Sequence, residues 1–92
     1  MTHPVETAEL RIIREQVRDF ITQNFLFAGG PRLEDDVSLL ERDIVDDTGM
    51  LELVLFVEET YGLSVPEEDL LPDNFDTVNS IAAYVVRKLD DD

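Results

Sequence analysis

Carboxylates are the side chains of this sequence most able to do chemistry, and several of them stand close together. Asp43, Asp46 and Asp47 occur within five residues, so acid–base catalysis and calcium binding are the first chemistries to test. An EF-hand loop needs acids at its first, third and fifth positions, Gly at the sixth and Glu at the twelfth, and no window of the sequence fits. We therefore expect weak divalent binding only and assign no metal ligands.

An enzyme is the class of protein that the sequence favours least. Acid–base catalysis needs a group with a shifted pKa in a cleft, and no basic partner or cofactor loop accompanies the carboxylates. The one histidine, His3, lies near the N-terminus, and there is no cysteine, which excludes disulfides, thiolate catalysis and Cys-based zinc sites. We assign no catalytic residue. The 92 residues predict a single domain, with residues 1–5 and 90–92 frayed and little room for a deep cavity.

The charge of the chain is strongly negative and unevenly distributed. Twenty-two acidic and seven basic residues give a net charge of −15, and residues 34–76 carry fifteen acids against Arg42 alone. Such a surface repels nucleic acid and anionic lipid and attracts basic protein surfaces. No apolar stretch is long enough to span a membrane, and the N-terminus does not resemble a secretory signal. The sequence predicts a cytoplasmic monomer that binds proteins.

The first helix is predicted over about residues 7–24, where apolar residues recur at helical spacing. These are Leu10, Ile13, Val17, Phe20 and Ile21. The polar side of the helix carries Arg11, Arg14, Arg18 and Asp19. The Gly-Gly-Pro of residues 29–31 is expected to end it. Residues 32–46 then form a long connection, with a possible helical turn over residues 36–42. Its apolar side chains should pin it to the core, namely Leu33, Val37, Leu39, Leu40, Ile44 and Val45.

Three further helices are expected in the second half of the chain. The second helix should start near Asp46–Asp47, since Asp is a good N-cap, and should end at Tyr61–Gly62. A short third helix is predicted over residues 65–71, with Pro66 at its first position and Pro72 as its stop. The last should cover about residues 77–89, with Asp76 as its cap. The expected fold is therefore all-α, a four-helix bundle of three long helices and one short one.

The start of the second helix resembles a known family. The chain reads Asp46-Asp47-Thr48-Gly49-Met50-Leu51-Glu52-Leu53-Val54, whereas one subset of discrete acyl carrier proteins has Asp-Ser-Thr-Gly, an apolar pair and Glu-Leu-Val. The similarity continues through Glu58, Glu59, Tyr61, Gly62 and Val65-Pro66 and covers nearly the whole chain. The resemblance implies the acyl-carrier fold and a protein that presents a thioester-bound acyl or aminoacyl group to partner enzymes, as in fatty acid and secondary-metabolite biosynthesis.

In that family the serine at the start of the second helix carries 4′-phosphopantetheine, and this chain has Asp47 there. A carboxylate cannot form the phosphoester, so the chain as written should remain unmodified. Thr48 and Ser38 are the nearby hydroxyls that could substitute. Two explanations of Asp47 remain open. One is a Ser-to-Asp substitution in an ordinary carrier, which the intact flanking motif favours. The other is a carrier-like interaction module that binds partners without cargo.

The resemblance also implies a docking surface on the second and third helices. The matching residues are Glu52, Leu55, Glu58, Glu59, Val65, Glu67, Glu68 and Asp69, beside the flanking motif of Asp46, Thr48, Gly49, Met50 and Leu51. The expected partners present basic surfaces. They are acyl-activating ligases, acyltransferases, synthases and pantetheinyl transferases.

Overall fold

The first helix sets the frame of the fold. In a computed structural model that describes residues 7–26 and 32–90, helix α1 spans Ala8–Phe25. Thr7 caps it as a non-helical residue whose side chain accepts a hydrogen bond from the backbone N–H of Leu10 (3.1 Å). The predicted apolar stripe faces inward, with Ile13, Val17 and Ile21 buried. The Gly-Gly-Pro of residues 29–31, His3 and the terminal residues 1–5 and 91–92 lie outside the described residues.

Three more α-helices follow, and no strand occurs in the described ranges. Helix α2 spans Asp47–Tyr61, α3 is a single turn at Pro72–Phe75, and α4 spans Val78–Asp90. Asp90, expected to fray, is the last residue of α4. Helix α1 packs mainly on α4, which also carries α3. The all-α prediction of three long helices, a short helical region and a long first connection is confirmed.

Aromatic rings fill the space between α1 and α2. The Phe20 and Phe56 rings stack with their centroids 4.3 Å apart. Phe25 meets Phe20 edge-on, and Tyr61 meets Phe56 in the same way. Such pairs favour offset or edge-to-face geometry and bury large apolar areas. The rings therefore hold the second half of α2 against α1, while Leu51 and Leu55 on its outer side stay exposed.

The short helical region differs from the prediction. Instead of one helix over residues 65–71 that Pro72 stops, a 3-10 helix spans Glu67–Asp69 with Pro66 as its cap, and α3 then begins at Pro72. Proline lacks a backbone N–H and its φ suits the first helical position, so it can begin a helix as readily as it prevents one from continuing. The polypeptide thus turns twice between α2 and α4.

Asp76 was predicted to cap the last helix, and this was wrong. Thr77 fills that role, because its Oγ1 accepts from the backbone N–H of Ser80 (2.9 Å). The Asp76 carboxylate instead accepts from Ser38 Oγ (2.6 Å) and from the backbone N–H of Leu40 (3.1 Å), and its carbonyl accepts from the backbone N–H of Leu39 (2.7 Å). Asp76 therefore ties the long connection to the start of α4.

Arg18 was placed on the polar side of α1 by its sequence position, yet it is 5% exposed. The connection folds over that side of the helix. The Nε of Arg18 donates a hydrogen bond to the carbonyl of Leu33 (2.9 Å), and the guanidinium of Arg18 also pairs with Asp35 and Glu15. Arg32 pairs with Glu15 as well (2.9 Å). We call these residues the Arg18 cluster; it attaches the start of the connection to α1.

The apolar side chains of the connection are buried to different degrees. Leu33, Leu39 and Val45 belong to the core, and Val37 and Ile44 are half-buried against it. Leu40 was predicted to pin the connection and is instead 37% exposed. Residues 39–43 form turns rather than a helix. The connection is thus fixed by its buried and half-buried apolar residues and by hydrogen bonds to α1 and to the start of α4.

Candidate functional site at the start of α2

Helix α2 begins at Asp47, and Asp46 is its cap. The Asp46 backbone is extended (φ −99°, ψ −171°), and its carboxylate accepts from the backbone N–H of Gly49 (2.8 Å). Asp47 is therefore the first helical residue, with an exposed side chain, and it does not cap the helix. Its negative charge still suits the positive end of the helix dipole. The position matching the attachment residue of acyl carrier proteins lies accessible on the surface.

Gly49 lets the first turn of α2 approach the end of α1. A Cβ placed on Gly49 would lie 2.8 Å from Phe25 Cε1 and 3.1 Å from Val45 Cγ1. Both distances are shorter than ordinary carbon–carbon contacts. Gly49 is buried, and the ring of Phe25 packs directly against the helical turn that begins at Asp47.

We expect Gly49→Ala to destabilise the protein by about 1–3 kcal/mol, the usual cost of overpacking a close contact. Chemical denaturation followed by circular dichroism measures this change. Gly62→Ala is not a matched control, because Gly62 has a positive φ of 67°. Thr48→Ala, one residue away and exposed, should change stability by less than about 0.5 kcal/mol. Equal stability of Gly49→Ala and the wild type would contradict this packing.

The outward face of α2 combines two leucines with acidic residues. Leu51 and Leu55 are 59% and 54% exposed and lie one helical turn apart, on the same face as Asp47. Glu52 and Glu59, also exposed, lie beside them around the helix. We call Leu51, Leu55, Glu52 and Glu59 the α2 face. Leu55, Glu52 and Glu59 are predicted docking residues and Leu51 belongs to the predicted flanking motif, and all four are open to solvent.

The other predicted docking acids fall into two groups. Glu67 and Glu68 are exposed on the 3-10 helix. Glu58 is half-buried, and its carboxylate accepts from the backbone N–H of Val65 (2.8 Å). Asp69 accepts from the Tyr84 hydroxyl (2.7 Å). Glu58 and Asp69 therefore hold the segment after α2 in place, and half-buried Val65 packs against the core.

The Tyr84 hydroxyl is held strongly in its protonated form. Burial and the hydrogen bond to the Asp69 carboxylate both raise its pKa above the ordinary value of 10.0. Burial also raises the pKa of Tyr61 to about 12, and the Tyr61 hydroxyl donates to Gln16 (2.7 Å). Both phenols are structural hydrogen-bond donors at neutral pH.

The two hydroxyls nearest to Asp47 in sequence have different surroundings. Ser38 Oγ donates to Asp76 and accepts from the backbone N–H of Glu41 (3.1 Å). Modification of Ser38 would remove its hydrogen bond to Asp76, one of several that tie the connection to the start of α4. Thr48 is exposed, but it lies about 100° around the helix from Asp47.

A small apolar cavity opens beside Asp47. Its volume is about 200 Å³. It lies between the start of α2, the connection and α3. Its lining residues are Leu40, Asp47, Met50, Leu70, Leu71, Pro72 and Phe75. Leu40 and Leu71 are 37% and 51% exposed. Sequence reasoning missed both as site residues, because their place beside Asp47 depends on how the segments around them fold. The one sequence feature that could have placed Leu71 there is the next residue, Pro72, because α3 begins at that proline.

The described part of the chain shows neither a metal cluster nor a membrane span. No group of three or more His, Asp or Glu residues in 7–26 and 32–90 is placed to hold a metal ion. No helix within those ranges is long and apolar enough to cross a membrane.

A curated relative and two solved structures are similar to this chain. No family model matches the chain. A protein of Serratia sp. (strain ATCC 39006) described as "Probable acyl carrier protein PigG" is 29% identical over 76 residues, which are 83% of this chain and 87% of that protein. The chain is similar to an acyl carrier protein over most of its length. This similarity agrees with the resemblance that the α2 motif carries.

Two solved structures share the fold. A chain in a structure described as an FAD-dependent dehydrogenase matches with a TM-score of 0.67 and 29% identity, over 75% of this chain and 97% of the matched one. The matched chain is therefore also small. A chain in the Bradyrhizobium japonicum glycine:[carrier protein] ligase complexed with its cognate carrier protein and a glycyl adenylate analogue matches with a TM-score of 0.61 and 24% identity, over 94% and 100%. The latter match supports the carrier fold alone.

Proposed function

We propose that this chain is a carrier-type protein that docks onto partner enzymes through the α2 face and displays residue 47 to them. The observation that carries the proposal is the exposed first residue of α2, next to two exposed leucines with acids around them. In acyl carrier proteins that position holds 4′-phosphopantetheine, on which the acyl group is carried as a thioester. With Asp47 there, this chain stays unmodified.

In this proposal the chain is a carrier and not an enzyme, in line with its relative, which is described as a probable acyl carrier protein. Its partners are acyl-activating ligases, acyltransferases, synthases or pantetheinyl transferases with basic surfaces. An acyl-activating ligase is the first partner to test. We further propose that the protein acts as a single-domain monomer in the cytoplasm.

The α2 face divides the binding energy between two kinds of contact. Leu51 and Leu55 offer apolar area that a partner can bury, which supplies most of the affinity. Glu52 and Glu59 stay near water in a complex, so they mainly raise the association rate and set the orientation. Glu58 contributes less to partner binding than its sequence position suggests, because its carboxylate already accepts a hydrogen bond from the backbone N–H of Val65.

The test is surface plasmon resonance against a broad-specificity pantetheinyl transferase or a cognate ligase, at two salt concentrations. The double variant Glu52→Lys/Glu59→Lys should associate at least about tenfold more slowly at low salt, and its association should depend less on salt. Leu55→Ala should instead dissociate about 5–30-fold faster, which corresponds to about 1–2 kcal/mol.

The matched control is Glu9→Lys/Asp19→Lys, which makes the same change in net charge at exposed positions of α1. It should associate much more like the wild type. Circular dichroism should show unchanged helix content in all variants. If both double variants slow association equally, the net charge alone acts, and Glu52 and Glu59 only keep the surface soluble.

Asp47 itself favours a second candidate function, an interaction module without cargo. A carboxylate at the first turn stabilises the helix and leaves the α2 face available with no arm attached. This candidate predicts the same docking behaviour. It differs from the first in the effect of restoring a hydroxyl at residue 47: the carrier would then accept phosphopantetheine, and the interaction module would not.

A further inference from the structure

A second cavity lies between the end of α1 and the long connection, and two arginines line it. Its volume is about 290 Å³. Four apolar side chains form its walls, namely Leu26, Leu33, Val37 and Ile44. Leu33 is buried, and the other three are half-buried. The charged lining residues are Arg32, Arg42 and Glu34. We call this space the arginine cavity. It shares no lining residue with the cavity beside Asp47.

Arg42 is a base that the docking proposal leaves unused. It is the one basic residue among the fifteen acids of residues 34–76. In the part of the chain that the structure describes, its guanidinium has neither an ion pair nor a hydrogen bond. Arg32 pairs with Glu15 through one nitrogen (2.9 Å), and its side chain is 67% exposed, so most of its five N–H donors remain available. The cavity thus brings two guanidinium groups with free donors to one apolar space.

The backbone beside both arginines is held in place. Arg32 precedes Leu33, whose carbonyl accepts a hydrogen bond within the Arg18 cluster. The backbone N–H of Arg42 donates to the carbonyl of Ser38 (3.2 Å), and the Ser38 side chain is tied to the start of α4. Neither segment has to be ordered when a ligand binds, which lowers the entropic cost of binding.

We propose that the arginine cavity binds small aromatic monocarboxylates without a covalent bond. A guanidinium group is a planar cation that pairs with a carboxylate through two parallel hydrogen bonds and stacks on flat rings. The ring of the ligand lies against Val37 and Ile44, and its carboxylate meets Arg42 and Arg32. Glu34 offsets one of the two positive charges and so limits the affinity. The inference is independent of the proposed function, since it needs neither a partner protein nor phosphopantetheine.

The volume of the cavity and the charge of the protein set the conditions of the test. A water molecule occupies about 30 Å³ of liquid, so a volume of about 290 Å³ holds roughly nine or ten groups of that size. Benzoate, a phenyl ring with one carboxylate, is a probe of about this size. The net charge of −15 repels any anion at a distance. At 0.1 M salt, charges more than about 10 Å apart are largely screened, whereas a pair in contact is screened less.

A larger cleft, of about 530 Å³, lies along the end of α4 and also contains two bases, Arg87 and Lys88. It is a poorer candidate for an anion, because Asp69 and Asp90 line it as well and offset both positive charges. Arg87 already donates to the side chain of Asn74 (3.2 Å). No aliphatic side chain lines this cleft, so it offers little apolar surface to a ring.

The experiment titrates the ¹⁵N-labelled full chain at pH 7 in 0.1 M salt, observed by NMR. The ligands are sodium benzoate and benzamide, its neutral counterpart of similar shape. Benzoate should give saturable shifts centred on the backbone amides of Val37, Arg42 and Ile44. Benzamide should shift the same amides and bind about fivefold more weakly, the factor expected for one ion pair near water. Shifts that do not saturate, or that spread over the whole surface, would overturn the proposal.

Two pairs of variants test the charges of the cavity. Arg42→Gln should weaken benzoate binding about fivefold and leave benzamide binding unchanged. Its matched control is Arg87→Gln, which makes the same change in net charge at an exposed position of α4 and should leave both ligands nearly unchanged. Glu34→Gln should tighten benzoate binding about twofold, whereas Glu67→Gln, exposed on the 3-10 helix, should not. Equal effects of Arg42→Gln and Arg87→Gln would mean that net charge alone acts, and the proposal would fail.

A third pair tests the apolar wall. Val37→Ala should weaken both ligands about threefold, because less apolar surface is buried. Val86→Ala, also half-buried but on α4, should weaken neither, and circular dichroism should show unchanged helix content in both variants. If Val37→Ala binds both ligands as the wild type does, the ring lies elsewhere and the proposal is wrong. Failure of partner docking or of phosphopantetheine attachment would leave all these results unaffected.

Discussion

Replacing Arg18 by Met should lower the free energy of unfolding by about 2–3 kcal/mol. Methionine keeps the apolar stem but leaves the Leu33 carbonyl without its donor, and it leaves the Asp35 carboxylate with its ion pair to Arg14 (3.4 Å) in place of two such pairs. Removing one partner of a buried pair costs about 3–5 kcal/mol, and the partial exposure of Asp35 and Glu15 reduces that figure. For a chain of this size the melting temperature should fall by about 10–20 °C.

Calorimetry and urea denaturation measure this loss, and Arg42→Met is the control. Arg42 is exposed on the same connection, so its replacement should cost less than about 0.5 kcal/mol. Arg42→Met as destabilising as Arg18→Met would show that the Arg18 cluster adds nothing specific.

The same cluster predicts a dependence on pH. The hydrogen bond from Arg18 holds the pKa of Glu15 below its ordinary value of 4.5. A carboxyl group with a lowered folded-state pKa stabilises the protein above its unfolded pKa, and this stabilisation is lost as the pH falls through the folded-state value. The stability difference between the wild type and Arg18→Met should therefore shrink below about pH 4. A difference that stays constant down to pH 3 would contradict the ion-pair explanation.

Asp47→Ser should convert a chain that cannot be modified into one that can. The new hydroxyl would occupy the first, exposed position of α2, with Asp46 still capping the helix and Gly49 still allowing the close turn. Incubation with coenzyme A and a broad-specificity pantetheinyl transferase should add one phosphopantetheine to most of the variant. No addition should occur on the chain as it stands. Intact-protein mass spectrometry measures both.

Two controls make this result specific to residue 47. Asp47→Ala should remain unmodified, and Asp47→Ser/Thr48→Val should be modified as readily as the single variant. Phosphopantetheine on the unaltered chain would point to Thr48, because Ser38 is held by Asp76. A folded Asp47→Ser protein that gains no mass would favour the interaction module without cargo.

The sequence by itself determined the helices and their ends where the cause is local. The apolar stripe of α1 follows from a spacing of three and four residues. The start of α2 near Asp46–Asp47 and its end at Gly62 follow from side-chain capping by aspartate and from the freedom of glycine at positive φ, although only the structure shows that Asp46 is the cap. The resemblance around Asp47 also depends on contiguous residues, so it could be read without the fold.

The tertiary structure decided which polar side chains are structural and which residues surround Asp47. Arg18 is buried because residues far along the chain cover it. Asp76 accepts a hydrogen bond from Ser38, which lies 38 residues earlier in the sequence. Glu58 and Asp69 look like surface acids in sequence, yet each accepts a hydrogen bond that fixes the segment after α2. Leu40 and Leu71 are far apart in the sequence, yet they line the same cavity. Helical periodicity describes only neighbours within a turn or two, whereas these contacts arise when separate segments pack and buried polar groups must find partners.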